Sequence, residues 1–174
     1  MMRRQLLLAA ALVVAGVVCG EPFSKMSGTY RYAPTEGEAE AVANAVEQAV
    51  VEMSRLLRPI ARPRLRNVTR QWDEFTITIS DSGVSFIRPE LPDFKVELGG
   101  AAARWVGDDG KEYQASFAVT NKTSLVQTIK ADDGGRTQIF TLDESGVVLT
   151  VKTAVNSPKL KAPLNYSRTY RKTE

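Results

Sequence analysis

The chain of 174 residues contains no histidine and a single cysteine, Cys19. Without histidine there is no Ser-His-Asp or Cys-His couple and no imidazole ligand for zinc. One cysteine gives neither a disulfide framework nor a thiolate cluster. Aromatic residues make up only 7% of the chain, and the arginines are not interleaved with stacking platforms, which argues against nucleic-acid binding. After residue 20 no apolar run approaches the roughly 20 residues that a membrane-crossing helix needs. What is present is 43% hydrophobic and 25% charged residues over the length of one domain, which excludes a disordered or collagen-like chain. Catalysis would have to rest on carboxylates, tyrosine or lysine, and no constellation of these stands out. The chain therefore reads as a non-enzyme with no metal site and no cofactor.

Residues 1–20 read as an export signal: Arg3 and Arg4 precede an uncharged apolar run over 6–18, and polar sequence with Glu21 and Lys25 follows. Cleavage after Gly20 would leave a mature chain without cysteine. The competing reading is lipidation of Cys19, although Val18 stands where a lipoprotein signal normally has a smaller residue. Either way the protein is expected to be exported, to the periplasm or as an outer-membrane-anchored lipoprotein in a bacterium, otherwise extracellularly. Losing the signal removes two of the 23 basic residues and none of the 20 acidic ones, leaving a net charge of +1. Charge distribution matters more: Arg55, Arg58, Arg62, Arg64, Arg66 and Arg70 occur with no acid among them.

The mature chain, 23–172, reads as one domain. A short strand over 28–32 puts Tyr30 and Tyr32 on one face, and a helix over about 35–60 follows. Thr35 with Glu38 forms a capping-box pattern, and Val42, Val46, Val50, Met53 and Leu57 recur at helical spacing. Pro59 and Pro63 are expected to end the helix, leaving residues 60–70 as loop or as loop with a short second helical turn. From Glu74 the period becomes two. Alternating segments are separated by turn sequences such as Asp81-Ser82-Gly83, Asp132-Asp133-Gly134-Gly135 and Asp143-Glu144-Ser145-Gly146. About nine or ten strands in an up-and-down antiparallel meander, with one helical insertion after the first, predict an all-β barrel; a sandwich is the alternative.

Three stretches carry a family likeness: Phe23 with Gly28-Thr29-Tyr30, the helical insertion, and the last four strands ending in Arg168-Thr169-Tyr170. They resemble the calycins, meaning the lipocalins and, more closely, the fatty-acid-binding proteins. The likeness implies a barrel with a helical lid and a fatty-acid carboxylate held by Arg168 and Tyr170. The family's second inward arginine has no counterpart at the matching Phe140-Thr141.

The last strand places Leu164, Tyr166, Arg168 and Tyr170 on the apolar face. A guanidinium there needs a partner. Two readings stand: Arg168 holds a ligand anion with Tyr170 as second donor and Tyr166 beside it, or it closes the barrel by stacking on Tyr30 and donating to carbonyls. Gln127 shares a face with Leu125 and Ile129 and reads as a polar group in a cavity or as a bond to a neighbouring strand. The stripe with Met53 and Leu57 reads as a lid or a plug. The arginines over 55–70 read as a contact for anionic lipid head groups or as a solvated face. The leading expectation is an exported carrier of a small apolar or amphipathic ligand, a fatty acid or other lipid, associated with a membrane through a Cys19 lipid or the basic segment. The alternative is an envelope structural or protein-interaction module whose barrel is filled with side chains.

Overall fold

Period-two alternation of apolar residues dictates most of the architecture, because it gives each strand one face to bury and one to expose. A computed structural model describes residues 25–89, 93–107, 110–121 and 123–173; the export signal read over 1–20 and Cys19 lie outside the described residues. The chain runs β1 (Gly28–Tyr32), α1 (Glu38–Val51), α2 (Arg58–Val68), β2 (Glu74–Ser80), β3 (Gly83–Ile87), β4 (Phe94–Val96) and β5 (Ala103–Val106). It continues through β6 (Glu112–Asn121), β7 (Ser124–Ala131), β8 (Gly134–Leu142), β9 (Val148–Asn156) and β10 (Leu164–Lys172). All ten strands form one antiparallel sheet in which β1 pairs with β10 as well as β2, so the sheet curls into a nearly closed barrel. The remaining gap lies between β4 and β5, where a parallel bridge from Leu98 to Phe117 and the bond from Gly99 N–H to Phe117 O (3.0 Å) tie the edges together.

Rings fill the barrel away from the helices. Tyr30, Phe75, Phe117, Phe140 and Tyr170 are all at most 2% exposed. Phe75 lies at the centre, with ring centroids 4.8 Å from Tyr170, 5.2 Å from Phe86 and 5.6 Å from Tyr30. Each such pair adds roughly 0.5–1.5 kcal/mol to the burial of its area. The Tyr30 hydroxyl donates to Met26 O at 2.8 Å, which makes a phenol tolerable in this core.

The insertion departs from the sequence expectation. In place of one helix over 35–60 there are two, and the segment read as loop or a short second turn is a full helix over Arg58–Val68. Pro59 falls in the first turn of α2, where its missing N–H costs nothing. Pro63 lies inside α2 but is exposed, so the carbonyl it cannot satisfy is left to water. Three arginines hold the pair together. Arg58 donates to Met53 O (3.1 Å) and Val51 O (2.6 Å), placing a cation on the terminal carbonyls of α1, which has no basic residue in its own last turn. Arg62 and Arg66 both reach Glu47 on α1, at 2.9 and 3.0 Å. The apolar stripe buries Val42, Val46, Val50 and Met53. Chain reversal after Val51 then leaves Leu57 and Ile60 exposed. Together with Leu65, Val155 and Leu164, the stripe makes a second, smaller core between the helices and the β9–β10 end of the barrel.

The capping box does not form. Gly37, at φ 74°, is the N-cap of α1 and no side chain closes it. Glu38 turns inward instead, where its carboxylate bonds the Tyr32 hydroxyl and lies 3.8 Å from the Arg168 guanidinium, an attraction of opposite charges in a buried setting.

Candidate ligand cavity

β10 supplies three inward side chains in succession, and each meets the end of the helical insertion. The Tyr166 hydroxyl donates to Val68 O (3.4 Å), Arg168 Nη2 to Thr69 O (3.0 Å), and Tyr170 makes a backbone hydrogen bond with Trp72. Arg168 Nη1 also donates to the Tyr32 hydroxyl at 2.9 Å and lies 3.8 Å from Glu38 Oε1. Its guanidinium sits 5.5 Å from the Tyr32 ring; the stacking partner is thus Tyr32 and not Tyr30, whose hydroxyl is engaged with Met26. One buried cation therefore clasps β1, the start of α1 and the end of α2. Burial pushes the Tyr170 and Tyr166 phenols up from their ordinary range, as it does Tyr32, where a hydrogen bond to Glu38 adds to the shift. None of these three β10 side chains lines the cavity described next.

That cavity, of about 660 Å3, opens between α2, the β5–β6 and β7–β8 hairpins and the segment after β9. Its size falls within the usual range for small-molecule sites. Met53, Leu57, Ile60 and Leu160 give it an apolar wall on the helical side. Among the described lining residues six are basic (Arg64, Arg70, Arg88, Lys111, Arg136 and Lys159) and one is acidic, Asp133, which pairs with Lys111 at 3.3 Å. Gly134, at φ 147° in the β7–β8 turn, shapes the rim, since a Cβ there would lie 2.4 Å from Asn156 O.

Toward the rings a separate chamber of about 20 Å3 shares Trp72, Arg88, Trp105, Ile129 and Arg136 with the cavity and is bounded also by Phe86, Phe94 and Gln127. The guanidinia of Arg88 and Arg136 lie 4.7 and 5.5 Å from the centre of the Trp72 ring. Gln127 is 3% exposed, and neither its Oε1 nor the Trp105 indole nitrogen has a hydrogen-bond partner among the described residues.

The sequence-derived candidates thus divide. Met53 and Leu57 line the cavity, Gln127 borders the chamber, and Arg168, Tyr170 and Tyr166 tie the insertion to the barrel. Sequence reading missed Trp72, Arg88, Trp105 and Arg136. Extending the alternation by one step would have found two of them, since Arg88 follows Phe86 and Arg136 precedes Gln138 and Phe140 on inward positions. The matching Phe140 stands level with Arg168 across Val151, and the inward cation of β8 is Arg136, four residues earlier.

No protein-family model matches the chain, and no curated protein matches it in sequence. Solved structures do. A fatty acid binding protein from Schistosoma mansoni, in complex with arachidonic acid, aligns over 87% of this chain and 98% of its own, with a TM-score of 0.51 and 15% identity. The zebrafish ileal bile-acid-binding protein with cholic acid aligns over 86% and 100%, at TM-score 0.51 and 13% identity. A luciferase domain from the dinoflagellate Lingulodinium polyedrum aligns over 86% of this chain and 42% of its own, at TM-score 0.54 and 8% identity. The chain has the calycin fold of the fatty-acid-binding proteins, as its sequence implied. At such identity the likeness extends to the fold, and the same fold carries a luciferase domain, so function has to be argued from the cavity.

Proposed function

We propose that the protein is a non-catalytic carrier of a small anionic amphiphile, of the fatty-acid class or similar, held between the helices and the open end of the barrel. The observation that carries this is the make-up of the cavity, whose lining joins the apolar Met53, Leu57, Ile60 and Leu160 with six basic residues and one acid. Apolar area rewards a hydrocarbon body by about 25 cal/mol per Å2, and the cations favour a negative head. Structural neighbours that bind arachidonic and cholic acids support the same reading. Extracytoplasmic action is part of the proposal and rests on the basic and apolar pattern of residues 1–20, with lipidation of Cys19 as its membrane-anchored form.

Native mass spectrometry of the purified protein, followed by organic extraction, tests the carrier reading. Co-purifying lipid is expected. A clean apo mass, together with failure to take up any amphiphile, would favour a structural module, a reading that the ring-filled half of the barrel supports. Metabolic labelling with an alkyne fatty acid is expected to mark the wild type and not Cys19→Ala if the anchor exists; equal labelling of both removes it.

A further inference from the structure

The family likeness implies a helical lid, yet the helical pair is the best-fastened wall of this cavity. Arg168 ties the end of α2 to β1 through the Thr69 carbonyl (3.0 Å) and the Tyr32 hydroxyl (2.9 Å), and lies 3.8 Å from Glu38 in the first turn of α1. Arg58 caps α1, Arg62 and Arg66 hold Glu47, and Val46, Val50 and Leu65 are buried beneath. Swinging either helix outward would strand a buried guanidinium and open an apolar core at once.

The wall across from the helices is held by little. Residues 157–163 connect β9 to β10 as an irregular strap, with Pro158 and Pro163 near its two ends. Among the described residues it makes one hydrogen bond to a neighbouring hairpin, from Ser157 Oγ to Asp133 O, at a long 3.3 Å. Its other bonds are internal, from the Leu160 and Lys159 N–H groups to Ser157, or come from Asn165 of β10. Leu160 anchors it in the small core and is only half-buried there. Space lies on both sides. Beyond the strap is a second cavity, of about 250 Å3, bounded by Pro158, Lys161 and Pro163, and Asn156, Ser157 and Leu160 border both cavities.

We propose that this strap, and not the helical pair, is the gate through which the ligand enters and leaves. The strap swings outward, Leu160 leaves the small core, and the two cavities merge into one mouth beside the β7–β8 hairpin; closing returns Leu160 to the apolar wall over the ligand. The prolines fix φ near both ends, so the residues between them move as one piece instead of fraying. Gly134 keeps the root of the strap clear, since a Cβ there would lie 2.4 Å from Asn156 O and 3.3 Å from Ser157 Cα. Lys159 is exposed on the strap and lines the cavity, so it travels with the gate and presents a cation to an incoming anion. The proposal rests on the carrier reading above and adds a route to it.

The test follows binding of dansylaminoundecanoate, a fluorescent fatty acid, by stopped flow. Leu160→Ala weakens the anchor of the strap and is expected to raise both the association and the dissociation rate about tenfold. Ser157→Ala removes the hydrogen bond to the β7–β8 turn and is expected to raise both about threefold. Should Leu160→Ala not fold, Ser157→Ala carries the test alone. Arg168→Leu releases the helical pair without touching the cavity, and is expected to change neither rate by more than about twofold. The association rate decides, because a lost wall contact speeds release alone. A rise confined to dissociation in both strap variants would overturn the gate, as would an Arg168→Leu chain that speeds both rates as much as Leu160→Ala does. In either case the probe still binds and the carrier reading stands. If the wild type takes up no probe and native mass spectrometry finds no bound lipid, the carrier reading falls and the gate with it.

Discussion

Tyr30 and Gln127 are polar residues buried in one barrel, and they are treated in opposite ways. The Tyr30 hydroxyl donates to Met26 O at 2.8 Å and its ring packs on Phe75. The Gln127 amide oxygen has no partner and borders open space. Both positions are equally dictated by alternation of the strands. Among the described residues the Tyr30 hydroxyl is paired where it is buried, whereas Gln127 Oε1 and Trp105 Nε1 border the chamber without a partner and Gln138 Oε1, Glu38 Oε1 and Arg168 Nε are unpartnered away from it. An unpaired buried polar atom costs about 1–3 kcal/mol, so the two that border the chamber are where a hydrogen-bonding group from solution, a water or a ligand, is best received.

If this division is right, the ring-filled end carries stability and the helical end carries binding. Phe75→Ala gives the largest expected effect, a loss of about 4 kcal/mol in urea unfolding, because it empties the centre of five ring contacts in a core that cannot collapse. Leu65→Ala removes a side chain from the small core under the helices and is expected to cost about 2 kcal/mol. A larger loss at Leu65 than at Phe75 would break the comparison.

Arg168 sharpens it. A ligand anchor can be removed with little loss of stability, whereas a clasp cannot. Arg168→Leu leaves Glu38 buried without its cation and the Thr69 carbonyl without its donor, so unfolding free energy is expected to fall by about 3 kcal/mol. Adding Glu38→Gln in the double variant is expected to recover part of this, since the stranded charge is then gone. An unchanged melting temperature in Arg168→Leu, with a selective loss of anionic ligand, would move Arg168 to the binding site.

The barrel was legible in the sequence because period-two alternation and hairpin turns are local signals. Phe75, Ile77, Leu125 and Leu149 declare their face from their immediate neighbours, and Asp143 binds the Val147 and Val148 N–H groups of its own turn. The helical insertion was less so. Pro63 argues against a helix locally, and what overrides it is non-local: Arg62 and Arg66 reach Glu47 on another helix, and Arg58 caps that helix. The site was least legible. Trp72 and Arg88 flank strands rather than lying within them, and no local pattern says that they meet Arg136 from across the barrel.

Alkaline titration probes the same division with a smaller effect. Burial pushes the Tyr30 phenol up to about 12 and Tyr170 in the same direction, while an unfolded tyrosine ionises near 10. The folded state keeps these phenols neutral, so their contribution is fully present below about pH 10 and is lost as pH rises toward about 12. Absorbance at 295 nm is expected to show Tyr30 and Tyr170 ionising only as the near-ultraviolet circular dichroism collapses. Ionisation of all five tyrosines by about pH 10.5 in a still-folded chain would mean that the ring-filled end is open to water.

The weakest expected effect belongs to the helix pair itself. Glu47 accepts from Arg62 and Arg66, and the hydrogen bond from Arg62 chiefly holds its carboxyl below the usual range. All three side chains are partly open to solvent, at 38%, 39% and 66% exposure, so the interaction is one that salt screens. Glu47→Gln is therefore expected to lower the melting temperature by no more than about 2 °C in low salt. The difference should vanish in about 1 M sodium chloride, where the screening length is near 3 Å. A loss of many degrees in low salt that high salt abolishes would mean that the two helices are held by that ion pair rather than by Val46, Val50 and Leu65. The helical wall of the cavity would then be set by charge and not by its apolar contacts.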